Sequence, residues 1–76
     1  MTIAYVFVQI SATDPREVLP DIRAIAGVKQ AHLLMGPTDC IAFIEGADLE
    51  ALGEAIMAIR AVDGVASTDS RMAWPV

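Results

Sequence analysis

The 76-residue sequence is poor in the residues that staple small domains together. It has one cysteine, Cys40, so an internal disulfide is excluded. Its only histidine is His32, which excludes a four-ligand Cys/His zinc site. Positive charge is also scarce. Arg16, Arg23, Lys29, Arg60 and Arg71 are scattered among 10 acidic residues, giving a net charge of −5. Binding a phosphate backbone needs a basic patch, because counterion release drives it, so this chain alone is a poor partner for nucleic acid. No apolar run approaches the roughly 18 residues of a membrane helix. Met1 to Tyr5 hold no basic segment of signal-peptide type, so the expected location is the cytoplasm, with a free thiol at Cys40. Phosphate-binding loops, dinucleotide fingerprints and metal-ligand spacings are absent, and no cofactor is expected.

What the sequence has in excess is apolar surface. Hydrophobic residues make up 55% of it and charged residues 20%. A chain this short buries only a limited fraction of its surface. With disulfides and metals excluded, oligomerisation is the remaining way to add stability.

The chain also repeats itself. Ile22-Arg23-Ala24-Ile25-Ala26-Gly27-Val28 matches Ile59-Arg60-Ala61-Val62-Asp63-Gly64-Val65 at an offset of 37, with five of seven positions identical. The same offset aligns Ile3–Phe7 with Cys40–Ile44 and Met35 with Met72. The chain therefore reads as one domain, residues 1–76, made of two strand–helix–strand halves.

In the first half, Ile3 to Ile10 is a β-branched and aromatic run of strand type. Asp14-Pro15-Arg16-Glu17 has the form of a helix start, with Asp as cap, Pro at the first helical position and Glu three residues after the cap. Val18, Leu19, Ile22, Ile25 and Ala26 follow at helical spacing, and Gly27 is placed to end the helix. Pro20 lies inside this helix and lacks a backbone donor, which predicts a kink or a late start. A second strand is predicted from Val28 to Met35, and Gly36-Pro37-Thr38-Asp39 is a turn by composition.

In the second half, Cys40 to Glu45 is the third strand. Asp48 caps a helix carrying Leu49, Leu52, Ile56 and Ile59 on one stripe, with Ala55 and Val62 beside it. Gly64 ends that helix, and Val65 to Trp74 is the fourth strand, stopped by Pro75.

Two such halves joined by a hairpin define an α+β, ferredoxin-like βαββαβ domain: a four-stranded antiparallel sheet with both helices on one face. A sheet whose other face met water would alternate polar and apolar residues. These strands do not. Ile3, Tyr5 and Phe7 oppose Ala4, Val6, Val8 and Ile10, and Ile41 and Phe43 oppose Ala42 and Ile44. The face without helices is then an uncovered apolar patch. A second copy, face to face in a C2 homodimer, is the simplest cover, which makes a dimeric α+β barrel.

Catalytic constellations are lacking. His32 has no Asp or Cys partner in the sequence and reads as a half-buried strand residue; a catalytic role would need a carboxylate from across the sheet or from another subunit. Cys40 opens a buried strand and reads as a small hydrophobe. Asp48, Glu50 and Glu54 read as a solvated helix face. Two places could hold a small polar ligand: the turn at Gly36-Pro37-Thr38-Asp39, and the hydroxyls of Thr68 and Ser70, which share one face of the last strand with Met72 and Trp74.

Taken in order, the strand Ala4-Tyr5-Val6-Phe7-Val8, Gly27-Val28, the Gly36-x-x-Asp39 turn, Gly64-Val65 and Thr68-Asp69-Ser70 resemble the effector-binding (RAM) domain of the Lrp/AsnC family of transcription regulators. The resemblance spans nearly the whole chain. It implies dimers paired through their sheets, assembly into rings that are often tetramers of dimers, and amino acids or related effectors bound between dimers. It also implies ligand-binding roles for Gly36, Asp39, Thr68 and Ser70, with Thr38 as a neighbour. In such a site Asp39 would accept from a ligand ammonium, while hydroxyls and backbone N–H groups near Gly36 would donate to its carboxylate. Full-length members carry a helix-turn-helix domain ahead of this module. Its absence here predicts a stand-alone form that reaches DNA through full-length relatives. Two alternatives stay open. One is a small enzyme of the monooxygenase or isomerase kind, working through His32 in a pocket between helices and sheet. The other is a subunit that only tunes the assembly of others.

Overall fold

A computed structural model describes residues 1–74. Its elements are β1 (Thr2–Ile10), a 3-10 turn (Pro15–Glu17), α1 (Leu19–Arg23), β2 (Val28–Leu33), β3 (Cys40–Gly46), α2 (Leu49–Arg60) and β4 (Val65–Met72). The strands form one antiparallel sheet in the order β2-β3-β1-β4. This is the βαββαβ arrangement expected. The two leading strands of the repeat, β1 and β3, lie side by side at the centre.

The two prolines of the first helical region set its form. Asp14 accepts the Arg16 N–H at 3.0 Å, but the turn it caps is only the 3-10 segment at Pro15–Glu17. The α-helix begins after it, with Pro20 in its first turn, where a missing N–H costs nothing. Of the two outcomes expected at Pro20, the structure takes the late start. The helix is five residues long, and Ala26, expected on its apolar face, is exposed beyond its end.

The second helix is uninterrupted. The Asp48 side chain accepts the Ala51 N–H at 2.9 Å, and Leu52, Ala55 and Ile59 are buried. Leu49 departs from the expected stripe and is exposed. At 100° per residue it falls roughly a quarter turn from the line through Leu52, Ala55 and Ile59.

The repeat is physical as well as textual. Ile25 N–H donates to Ile22 O at 3.2 Å, and Val62 N–H donates to Ile59 O at 3.1 Å. Val28 N–H to Ile25 O and Val65 N–H to Val62 O are both 3.1 Å. Each helix thus unwinds through the same pair of bonds into a glycine at positive φ, 96° at Gly27 and 98° at Gly64. At Gly64 a Cβ would also lie 2.8 Å from Val18 Cγ2, so two constraints select glycine there.

β2 and β4 end earlier than the sequence suggests. β2 stops at Leu33, because Leu34 N–H closes on Asp39 O at 2.8 Å and the chain then turns; Met35, expected in the strand, is fully exposed. β4 stops at Met72. Beyond its last pair, Met72 opposite Ala4, the Ala73 N–H to Ile3 O bond of 2.9 Å continues its ladder. Trp74 is exposed, and Pro75, the expected stop signal, lies outside the described residues.

Ala4, Val6, Val8, Cys40, Ala42 and Ile44 face the helices and are completely buried, forming one core with Val18, Ile22, Ala31, Leu52, Ala55 and Ile59. The opposite face carries Ile3, Tyr5, Phe7, Ile41 and Phe43, with Tyr5 opposite Phe43 and Phe7 opposite Ile41, and no helix covers it. Tyr5 is 42% exposed, and its ring centroid lies 5.3 Å from that of Phe43.

Candidate ligand-binding clefts at the sheet edge

The β2–β3 turn is tied to the end of β1. The ladder between β1 and β3 runs to Val8 opposite Cys40. Beyond it, Asp39 Oδ2 accepts the Ile10 N–H at 2.8 Å. The Gln9 side-chain amide donates to Pro37 O, also at 2.8 Å. Gly36 reverses the chain at φ 153°, a value side chains disfavour, with open space where a Cβ would stand. The turn is therefore fixed by three tethers, counting the Leu34–Asp39 bond. One oxygen of Asp39 is committed to the backbone. The other makes no hydrogen bond within the described residues.

Register decides where the β4 side chains point. Thr68 pairs with Val8, Ser70 with Val6 and Met72 with Ala4, so these three lie on the helix side of the sheet. Ser67, Asp69 and Arg71 pair with Gln9, Phe7 and Tyr5 on the uncovered side. Two clefts result. On the uncovered side, a cleft of about 370 Å³ brings Thr38 of the turn to Thr68, Asp69 and Arg71 of β4, with Gln9 and Phe7 behind. On the helix side, a groove of about 530 Å³ runs between α2 and β4, lined by Ile56, Arg60, Thr68 and Ser70 among others. Of the predicted site residues, Thr38 and Thr68 share the first cleft and Thr68 and Ser70 share the second. Asp39, next in sequence to Thr38, and Gly36, which shapes the turn, line neither.

Arg71 and Asp69 form an ion pair at 2.9 Å on the rim of the first cleft. The guanidinium carbon sits 5.3 Å from the centroid of the Phe7 ring. The Asp69 carboxylate, by hydrogen bond and then by charge, pushes the Arg71 pKa further up. The pair is well exposed, so solvent screens it and its value for stability is small. Gln9, Arg60, Asp69 and Arg71 escaped sequence reasoning. The alternate hydroxyls Thr68 and Ser70 of β4 were visible; the pairing register that sends the residues between them to the opposite face beside Phe7 and Tyr5 was not.

The two other singled-out residues do little chemistry here. His32 is exposed rather than half-buried. It stands on the uncovered face opposite Ile41, with Gln30 Oε1 3.5 Å from its Nε2. No carboxylate is hydrogen-bonded to it among the described residues. The space between helices and sheet, where the enzymatic alternative needs a pocket, is filled by the core. Cys40 is fully buried, and burial pushes its thiol pKa up, so it stays protonated and unreactive at neutral pH. Among the described residues there is no cluster of three metal-ligating side chains, and no helix is long and apolar enough to cross a membrane.

The polar side chains of this small α+β domain gather in clefts at the edge of its sheet. The Lrp/AsnC ligand binding domain profile matches residues 3–74, and the chain belongs to that family. A protein from Thermus thermophilus superposes with a TM-score of 0.90 at 22% identity, over 100% of this chain and 96% of its own. A hypothetical protein from Pyrococcus horikoshii gives 0.86 at 28% identity, over 96% and 89%. A transcriptional regulator from Neisseria meningitidis, solved as an L-methionine complex, gives 0.80 at 24% identity, over 95% of this chain and 49% of its own. The chain thus spans about half the length of that regulator. No curated protein matches the sequence.

Proposed function

We propose that this domain senses an amino acid or a closely related metabolite, and that it modulates transcription as an oligomer acting through DNA-binding partners of its own family. The observation that carries this reading is the tethered turn. Its Thr38 meets Thr68 of β4 along one polar cleft, beside an apolar sheet face that no helix covers. Gly36, Thr38, Asp39, Thr68 and Ser70 are the proposed ligand-binding residues, with the uncommitted oxygen of Asp39 accepting from the ligand ammonium. The L-methionine bound to the Neisseria regulator supports an amino acid as ligand. The uncovered face supports a homodimer, and both clefts lie at its edge or behind it, where contacts between dimers would close them into a ring. The net charge of −5 supports contact with DNA through partners rather than by this domain itself.

Thermal unfolding across the twenty amino acids, with mass from light scattering in each, tests the proposal. A ligand held well above its dissociation constant stabilises by a few kcal/mol, about 2.7 at a hundredfold excess. A raised melting temperature with a change in mass supports the sensor. A fixed mass and no shift with any amino acid removes it and leaves a subunit that only tunes assembly.

A further inference from the structure

We propose that the groove between α2 and β4 is a carboxylate subsite, in which Arg60 receives the ligand's carboxylate and the Thr68 and Ser70 hydroxyls donate to it. The inference deepens the sensing reading and rests on it for the molecule that bears the carboxylate. Its basis is how the five basic residues are employed. Arg16 pairs with Asp14 and Arg71 with Asp69. Arg23 donates twice to Ala31 O, at 3.0 and 2.7 Å. Lys29 forms no ion pair among the described residues but lines a cleft that also holds Glu45 and Glu54. Arg60 differs. Among the described residues its only side-chain hydrogen bond is to Met57 Sδ at 3.7 Å, a weak acceptor, and no carboxylate lines its groove.

The groove's hydroxyls are in the same condition. Ser67, Thr68 and Ser70 make no side-chain hydrogen bond within the described residues, although Thr68 is half-buried. A guanidinium and a row of hydroxyls free to donate, with no carboxylate among them, fit a planar oxyanion. The chain has twice as many acidic as basic residues, yet no acidic side chain lines this groove; the cleft at Arg23 and Lys29 is equally free of carboxylates, but its Arg23 is committed to Ala31 O and no hydroxyl lines it. The neighbouring C-terminal end of α2 carries negative partial charge, which opposes an anion. Attraction therefore depends on Arg60 alone, which makes the prediction sharp. The groove lies on the helix side of the sheet, so a partner stacked on the uncovered face leaves it open.

Two titrations followed by NMR test this. In the first, acetate is the probe, and the Arg60 Nε–H and the Thr68 and Ser70 amides are followed. Saturable shifts are expected in the native sequence. They should be absent in Arg60→Gln and weaker in Arg60→Lys, which keeps the charge but loses the fork. Equal shifts in Arg60→Gln, or none that saturate in the native protein, would overturn the subsite. In the second, the amino acid giving the largest rise in melting temperature is compared with its amide. The amide should bind about tenfold more weakly or worse, and Arg60→Gln should erase the difference. If acid and amide bind alike, the subsite fails while sensing stands. If acetate binds through Arg60 but no amino acid binds at all, sensing fails while the anion subsite stands.

Discussion

The two faces of the sheet are built from the same strands and are both apolar, yet they differ in size of side chain. The helix side is Ala4, Val6, Val8, Ala42 and Ile44, every one at 0% exposure. The uncovered side is Ile3, Tyr5, Phe7, Ile41 and Phe43, larger and only partly covered. Small residues let the helices settle close to the strands, where dispersion contacts are dense. Large ones reach outward and suit a second sheet stacked about 10 Å away. The first face explains why the chain folds. The second is an apolar patch of the kind that marks an interaction surface.

Breaking the helix side should cost most. Ile44→Ala removes a fully buried side chain and leaves a cavity, with an expected loss of about 3 kcal/mol in urea unfolding. A loss below about 1 kcal/mol would mean that this face is not the core. Breaking the uncovered side should act on assembly instead. Phe43→Arg is expected to halve the mass of the proposed dimer in light scattering and to remove any dependence of melting temperature on protein concentration. The isolated fold should survive; unfolding together with dissociation would merge the two faces into one cooperative core.

A smaller effect separates structure from binding at the turn. Asp39→Ala removes the acceptor for Ile10 N–H and should cost about 1 kcal/mol. Asp39→Asn retains an acceptor oxygen but not the charge, so it should keep most of that stability while weakening any ligand ammonium contact. Unchanged ligand affinity in both variants would remove Asp39 from the site.

The smallest effect is electrostatic and distant from both faces. The Arg16 side chain, and next its backbone N–H, hold the Asp14 carboxyl below the usual carboxylate range. A depressed folded-state pKa contributes stability above the unfolded value, and that contribution disappears as pH falls through the folded one. Asp14→Asn should flatten a slight loss of stability on the acid side of the ordinary carboxylate range. Salt should shrink the difference, because the pair is exposed.

Much of the fold was legible because it is periodic. The 37-residue offset announced two halves, and Gly27 and Gly64 do occupy matching positions at positive φ. Alternation along β1 and β3 assigned each residue to the correct face. Local chemistry was legible for Asp48, which caps α2, and for Pro20, which delays α1. The candidate site was legible only as residue types. Thr68 and Ser70 stood out as hydroxyls, but their company, Arg60 for Ser70 and both Arg60 and Arg71 for Thr68, follows from which β1 residues they pair with. The Asp39 tether to Ile10 was likewise invisible, since it joins residues 29 apart through a side chain and a backbone group.

The sequence by itself determined the elements, their two-fold internal repeat, the acidic charge and the presence of two apolar sheet faces, because each follows from local propensity and short periods along the chain. Tertiary structure alone decided the strand ends, the rigidity of the β2–β3 turn and the division of β4 between two clefts. Those depend on register between strands distant in sequence, where one residue of slip would exchange the faces and give each cleft the other's side chains.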